Sequence, residues 1–570
     1  MDIKRLIDLA MKNKNPQLVF KNAKIVNVFS HEIISGDLAI DNGIIVGIGI
    51  YDGEENIDVE EKFITPGLID AHLHIESVMV TPQEFAKAVV PRGTTTAIAD
   101  PHEIANVCGL DGIDYMLSAS DNLPLDIYFM LPSCVPATNF ENSGAVLNAE
   151  DLYKYINNKR VLGLGEMMNY PGVIYKDDEV IKKLNIARDK NKVIDGHGPV
   201  IKNDELNAYV ISGVNTEHEC TTVDEMIDRI RLGMYVMIRE GSAARNLETL
   251  VRGVNGFNYN RCLFCTDDRH PQDILNSGHI DNNVRMAIKN GIDPITAIQI
   301  ASINASNCYG LKNVGAIAPG YKADLLIVDN LKDFNIEQVY KAGKLVAEDK
   351  NPLFKVTQVN NTKVVDTVNI KNIEKDDISI KLNDDIVNVI RVLPHSLVTE
   401  KVVRKVDIEN NLFKYNEKLD ILKLVVIERH KNTGNIGLGL VENITLKDGA
   451  IASTIAHDSH NIIAVGDNDI DILKVIEEVK RIGGGIAVSS KGNILDSLSL
   501  PIGGIISDKS VEYVNEKLNN MLDLAYNKLN VNKDIDPFMT LSFLALPVIP
   551  QIKLTDKGLF DVIKFDFIDI

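Results

Sequence analysis

The sequence predicts an α/β protein centred on a (β/α)8 barrel, and three observations carry that prediction. Between residues 66 and 309, eight short Val/Ile/Leu-rich runs alternate with helix-length amphipathic spacers. The stretches on either side of this region are instead β-rich and punctuated by turn residues. Histidines and carboxylates recur where the apolar runs end, which is where a parallel barrel builds its active site.

Taken in order, Met1-Asp2-Ile3-Lys4-Arg5 leads into a short amphipathic stretch with no signal-peptide core. LVFKNAKIVNVF, GDLAIDNGIIVGIG and FITPGLID read as strands, with Asp41-Asn42-Gly43 as a hairpin turn. Barrel strands are expected at LIDAHLH, TTTAIAD, DIYFML, VLGLGEM, VIDGHG, VNTEHE, MYVMIRE and RCLFCTDD. β texture returns in GAIAPGYKADLLIVDN and QVYKAGKLVAEDK. A few strands alone cannot bury a core. Residues 1–65 and 310–365 are therefore expected to share one small β-sandwich, flanking a barrel of residues 66–309 and followed by a C-terminal α/β domain, 366–570. In that last part IGGGIAV follows a helix instead of opening one, so it does not read as a phosphate loop.

The bulk numbers set limits. A chain of 570 residues is too long for one core. A net charge of −20 argues against a general nucleic-acid binder, which needs cationic surface. No uncharged apolar run of about 18 residues occurs, so no membrane span is expected. Six scattered cysteines read as reduced cytoplasmic thiols. Cys262 and Cys265 form a C-x-x-C, but on a strand i and i+3 point to opposite faces, which argues for structural cysteines. The expected partners are a small-molecule substrate and further copies of the chain, as a homo-oligomer, with no nucleic acid and no membrane.

The chemistry rests on Asp70-Ala71-His72-Leu73-His74. Two histidines at i and i+2 on a strand share a face and can hold one metal ion. Alone, H-x-H is a weak signal. It strengthens because Glu166 ends VLGLGE, His197 ends VIDGH, His218 ends VNTEH and Asp267 ends RCLFCTD. Any one of these could be a satisfied core histidine or a helix cap. Four histidines and two carboxylates at five strand ends are what a pair of divalent ions needs. Bound water then loses its proton near neutral pH, and a nearby carboxylate, with Asp267 the natural choice, takes it.

PGLIDAHLHIESVMV and GTTTAIADPHEIANVCG resemble the amidohydrolase superfamily, specifically its adenine deaminase branch. MIREGSAARN, FCTDDRHP and GGGIAVSSKGNILDSLSLPIGG are similar to that branch too, so the resemblance covers essentially the whole chain. It implies a distorted TIM barrel flanked by a small β-sandwich, with an added C-terminal α/β domain. It also implies hydrolysis of adenine to hypoxanthine and ammonia by attack of a metal-bridging hydroxide on C6. Carried over, His72, His74 and Asp267 would hold one ion and His197 and His218 the other. Glu166 would bridge them, since the fourth strand offers no lysine at its end. Manganese or iron is the metal implied, although His and carboxylate ligands also suit zinc. His197 is followed by Gly-Pro instead of the H-x-x-E of mononuclear relatives, which favours two ions. The H-x-E with P-C-x-x-C pattern of nucleic-acid-editing deaminases is absent.

Further residues are placed near the site. Glu103 and His102, after the second strand, read either as groups that orient or protonate the purine or as a helix-capping acid and a surface histidine. Glu240 ends the seventh strand and is expected near the substrate, with Arg239 or Ser242 beside it able to reach that substrate. Of the adjacent Asp267 and Asp268 only one is expected to face inward, and Asp267 is favoured, with Asp268 left near the substrate. His457 and His460 read as a polar turn, or as a loop that closes the pocket; as a third metal site they lack further ligands nearby. Two competing readings are an amidohydrolase for another cyclic amidine or amide, such as guanine or a hydantoin, and a metal-free, non-enzymatic relative. The second predicts missing ligands, and none is missing.

Overall fold

The computed structural model describes residues 2–570. Nine strands from the two flanks form one sheet, joined where Phe63–Pro66 pairs antiparallel with Leu325–Val328. The Asn42-Gly43 hairpin forms because both residues adopt positive φ, 47° and 76°, which glycine and asparagine tolerate best. Phe20 and Tyr340 sit on strands three steps apart in this sheet, yet their ring centroids lie 4.8 Å apart. A flat sheet would hold them roughly 14 Å apart at the usual strand spacing. The sheet therefore curls over its own core, which Ile25, Ile64, Leu325 and Ile327 fill from both flanks.

Eight parallel strands follow: β1 (Leu68–Leu73), β2 (Thr94–Ala99), β3 (Asp126–Leu131), β4 (Val161–Met167), β5 (Val193–Gly196), β6 (Thr216–Glu217), β7 (Tyr235–Arg239) and β8 (Cys262–Cys265). β1 to β5 pair in sequence order, as do β6 to β8. Two backbone bonds close the ring: Asn215 N–H to Ile194 O (2.9 Å) and Asp267 N–H to His72 O (3.0 Å). Ile69, Ile98, Met130, Met237 and Leu263 come from five different strands and pack in one cluster with Tyr309. Side chains from so many strands meet only inside a closed barrel. Cys265 joins that cluster while Cys262 packs in a different one, so the C-x-x-C does straddle its strand.

Residues 353–374 contain no helix or strand. Beyond them an eight-stranded sheet carries the helix Asp469–Arg481, whose Ile472, Val475, Ile476 and Val479 pack on Val425, Ala452, Ala464 and Ala487. The chain then returns to the barrel. Ser507 N–H donates to Met79 O (2.8 Å), and Asn142 N–H donates to Asp556 Oδ1 (2.9 Å). The loop Ala456–Asn461 and the helix Pro537–Phe543 thereby come to lie over the C-terminal ends of the barrel strands. Among the described residues no helix is long and apolar enough to cross a membrane.

Candidate metal centre and substrate cavity

β1 and the residue just beyond it present His72 and His74, and β4 presents Glu166. His197, His218 and Asp267 follow β5, β6 and β8 within two residues. The structure brings all six together. His74 Nε2 lies 2.9 Å from Glu166 Oε1 and 3.2 Å from Asp267 Oδ1, and His72 Nε2 lies 3.6 and 3.7 Å from the same two oxygens. The other Glu166 oxygen, Oε2, is 2.7 Å from His197 Nδ1 and 3.3 Å from His218 Nε2. One carboxylate thus spans two histidine pairs, one oxygen to each.

Local structure fixes these positions. Asp100, at the end of β2, accepts His74 Nδ1–H at its carbonyl (2.9 Å), which leaves His74 Nε2 as the free ligand atom. Its Oδ2 accepts the Glu166 backbone N–H (3.1 Å). A Cβ at Gly165 would stand 2.1 Å from that oxygen, so only glycine lets β4 approach so closely. Asp70 accepts from Thr266 Oγ1 (2.6 Å) and ties β1 to the end of β8. Asp267 itself has φ of 57°, a left-handed conformation rarely adopted by a non-glycine residue and a form of strain that recurs at functional sites.

A divalent ion fits this donor set. Both ring nitrogens of the buried His72 lack a hydrogen-bond partner. Such orphans are costly in a protein interior, and a cation between His72 and the two carboxylates would satisfy Nε2. Burial and the neighbouring His218 hold His72 well below its ordinary pKa, in the neutral form that ligation needs. Burial alone would raise Glu166, but hydrogen bonds from His197, His218 and His74 keep it well below the usual carboxylate range. Burial pulls Asp267 upward too, and there the Arg239 charge leads the groups that outweigh it.

The remaining predicted residues divide. His102 and Glu103 open the helix His102–Ala119 and are buried, so they are neither a surface histidine nor a solvated cap. His102 Nδ1 sits 3.5 Å from Glu166 Oε1. Glu103 lines a cleft with Glu76, Ser77, Asp268, His457 and Phe543. Burial and the Glu103 charge push Glu76 up to about 7. The expectation that only one of Asp267 and Asp268 faces inward is corrected. β8 ends at Cys265 and Asp267 is left-handed, so strand alternation no longer applies, and Asp268 also enters the cleft, accepting Ser77 Oγ–H at 2.5 Å. Glu240 is not brought to the cluster; it is buried near Arg269 and Arg245. Arg239 is, pairing with Asp267 (2.5 Å) and with Glu219. His457 and His460 do have an acidic neighbour that the sequence did not reveal: Glu103 lies against both.

Sequence reasoning missed Asp100 and Glu219. Glu219 Oε1 lies 3.5 Å from His218 Nε2 and 3.7 Å from His197 Nδ1. The available signal was a second acid directly after a strand-end histidine.

Eight parallel strands with a His- and carboxylate-lined mouth define a metal-dependent hydrolase of the amidohydrolase class, and residues 63–346 match the amidohydrolase family. Residues 396–566 match the adenine deaminase C-terminal domain. An adenine deaminase of Clostridium acetobutylicum is 55% identical over 99% of this chain and 100% of its own length. Adenine deaminase 2 of Carboxydothermus hydrogenoformans is 49% identical over 100% and 99%, and an adenine deaminase of Geobacillus kaustophilus 48% over 99% and 98%. The chain belongs to the adenine deaminase family.

Proposed function

We propose that this protein hydrolyses adenine to hypoxanthine and ammonia, with His72, His74, Glu166, His197, His218 and Asp267 holding two divalent ions, manganese first among them. The convergence of six ligand side chains from five strand ends, with His72 otherwise unpartnered, carries this reading. When bound, the ions supply the charge that acidifies water and stabilises the transition state. Asp267, held ionised beside Arg239, would take the proton of the attacking water and pass it to the amino group. A C6–O bond forms, the C6–N6 bond breaks, and ammonia leaves. His102 stands close enough to Glu166 to fix its orientation, and Glu103 and Asp268 offer acceptors for the purine edge. Six free cysteines support a cytoplasmic site of action.

Residues 1–65 with 310–365, residues 66–309 and residues 366–570 act in this proposal as three structural units. Its test is ammonia release, together with the ultraviolet change from adenine to hypoxanthine, by manganese-loaded protein, with guanine, cytosine and adenosine run alongside. Turnover of adenine alone supports it. A protein that binds its metal and leaves adenine intact overturns the substrate.

A further inference from the structure

Glu103 belongs to the barrel, but the groups that touch its carboxylate come from residues more than 350 positions later in the chain. His457 Nδ1 lies 2.9 Å from Oε1, and His460 Nε2 lies 3.0 Å from Oε2. All three side chains are buried. One reading of such a trio is a third cation site. The His460 ring argues against it. Its Nδ1 accepts the Ala456 backbone N–H (3.3 Å), so in the neutral ring the proton sits on Nε2, the nitrogen that faces Glu103. A nitrogen bearing a proton does not ligate a metal, so the unpartnered His460 Nε2, unlike that of His72, is an N–H facing the carboxylate at 3.0 Å.

The loop that carries the two histidines is firmly held. His457 N–H donates to Ser542 O (2.9 Å), and its ring stacks on Phe543 with centroids 4.4 Å apart. The fully buried Arg429 donates to His460 O and Gly503 O, and Asn461 Nδ2–H reaches across to Asn142 O (2.8 Å). Asp458, between the histidines, lies 4.0 Å from His102 Nε2. The loop therefore contacts both residues that open the helix His102–Ala119.

A carboxylate with an imidazole nitrogen within about 3 Å of each oxygen, His457 Nδ1 at 2.9 Å and His460 Nε2 at 3.0 Å, remains an acceptor only. Adenine carries two kinds of N–H: those of the reacting amino group and the single ring N–H of its imidazole half. The second is lost when N9 bears a sugar. We propose that His457 and His460 are positioning residues that hold Glu103 as an acceptor for the ring N–H of a free purine base, so that the C-terminal domain sets the preference for base over nucleoside. This inference rests on the adenine reading above.

The experiment compares wild type, His457→Ala and His460→Ala with the donor-preserving His457→Asn and His460→Gln, each checked for folding by thermal melting and for bound metal. The alanine variants are expected to raise KM for adenine about tenfold or more, the consequence of losing a hydrogen bond to a charged group, while kcat changes much less. The donor-preserving variants should recover most of the loss. 9-Methyladenine, which lacks the ring N–H, should be a poor substrate for wild type, and the alanine variants should discriminate against it less. Unchanged KM in well-folded alanine variants overturns the proposal, as does a fall in metal content by one ion per chain, which would mark a cation site. Calorimetric binding of adenine and 9-methyladenine by the same proteins tests the inference independently of turnover. Wild type that binds adenine without converting it overturns the reaction alone. Wild type that binds neither base overturns both readings.

Discussion

The strand-end cluster of histidines and carboxylates and the Glu103 end of the cleft are built in different ways. The first is assembled from the ends of parallel strands, where backbone pairing fixes each side chain to within an ångström or so of its neighbours. The second is assembled across a domain boundary, with Glu103 held by a loop whose own anchors are Arg429, Ser542 and Asn142. In the proposals above the strand-end centre carries the reaction and the cross-domain contacts set substrate choice, two roles that different parts of one fold can hold separately.

The largest effect should come from emptying the strand-end centre. Chelation is expected to lower adenine turnover by about a thousandfold or more, with recovery on adding manganese, because the ions contribute several kcal/mol to the transition state. Steady-state rates before and after reloading check this. Removing only the proton carrier proposed above should cost less. Asp267→Asn is expected to lower kcat by about 10²- to 10⁴-fold, as is usual for a general acid–base group. A normal kcat in that variant would move the proton transfer to another residue, Glu219 being the nearest unassigned carboxylate on the second histidine pair.

The strand packing behind the centre gives the next test. Gly165→Ala places a methyl 2.1 Å from Asp100 Oδ2 and must displace that buried carboxylate or the strands that carry it. Overpacking of this kind costs about 1–3 kcal/mol, so Tm and metal affinity should fall together. An unchanged Tm would show that Asp100 can yield without moving Glu166.

The effect least coupled to catalysis lies on the cross-domain side. Lys553 is fully buried and donates to Leu397 O (2.9 Å) and Phe543 O (3.0 Å), the latter on the residue that stacks on His457. Burial lowers it from 10.5 to about 7. Between those values the unfolded chain binds a proton that the folded one does not, so this group makes stability rise as pH climbs from about 7 to about 10.5. Lys553→Met should flatten that part of the pH–stability curve, measured by denaturant unfolding. A wild-type curve that falls over this window would contradict the account of Lys553.

The same contrast explains what the sequence disclosed. All eight barrel strands and the clustering of the six strand-end side chains were legible because a period of two and a fixed chain order tie a residue's position to the barrel interior. The logic failed where the strand had already ended: Asp268 enters the cleft because Asp267 turns left-handed. Arg239, singled out beside Glu240 for its place at the end of the seventh strand, is the side chain that reaches Asp267. Nothing in the string AHDSHN pointed to Glu103. Their meeting depends on how the C-terminal sheet docks on the barrel, and docking leaves no periodic trace in sequence.

The central claim is that six strand-end residues form a two-ion centre that deaminates adenine. Titrating metal-free protein with manganese while following hypoxanthine tests it most directly. Activity should rise linearly and break at two equivalents per chain. A break at one equivalent, or full activity before any metal is added, would contradict it.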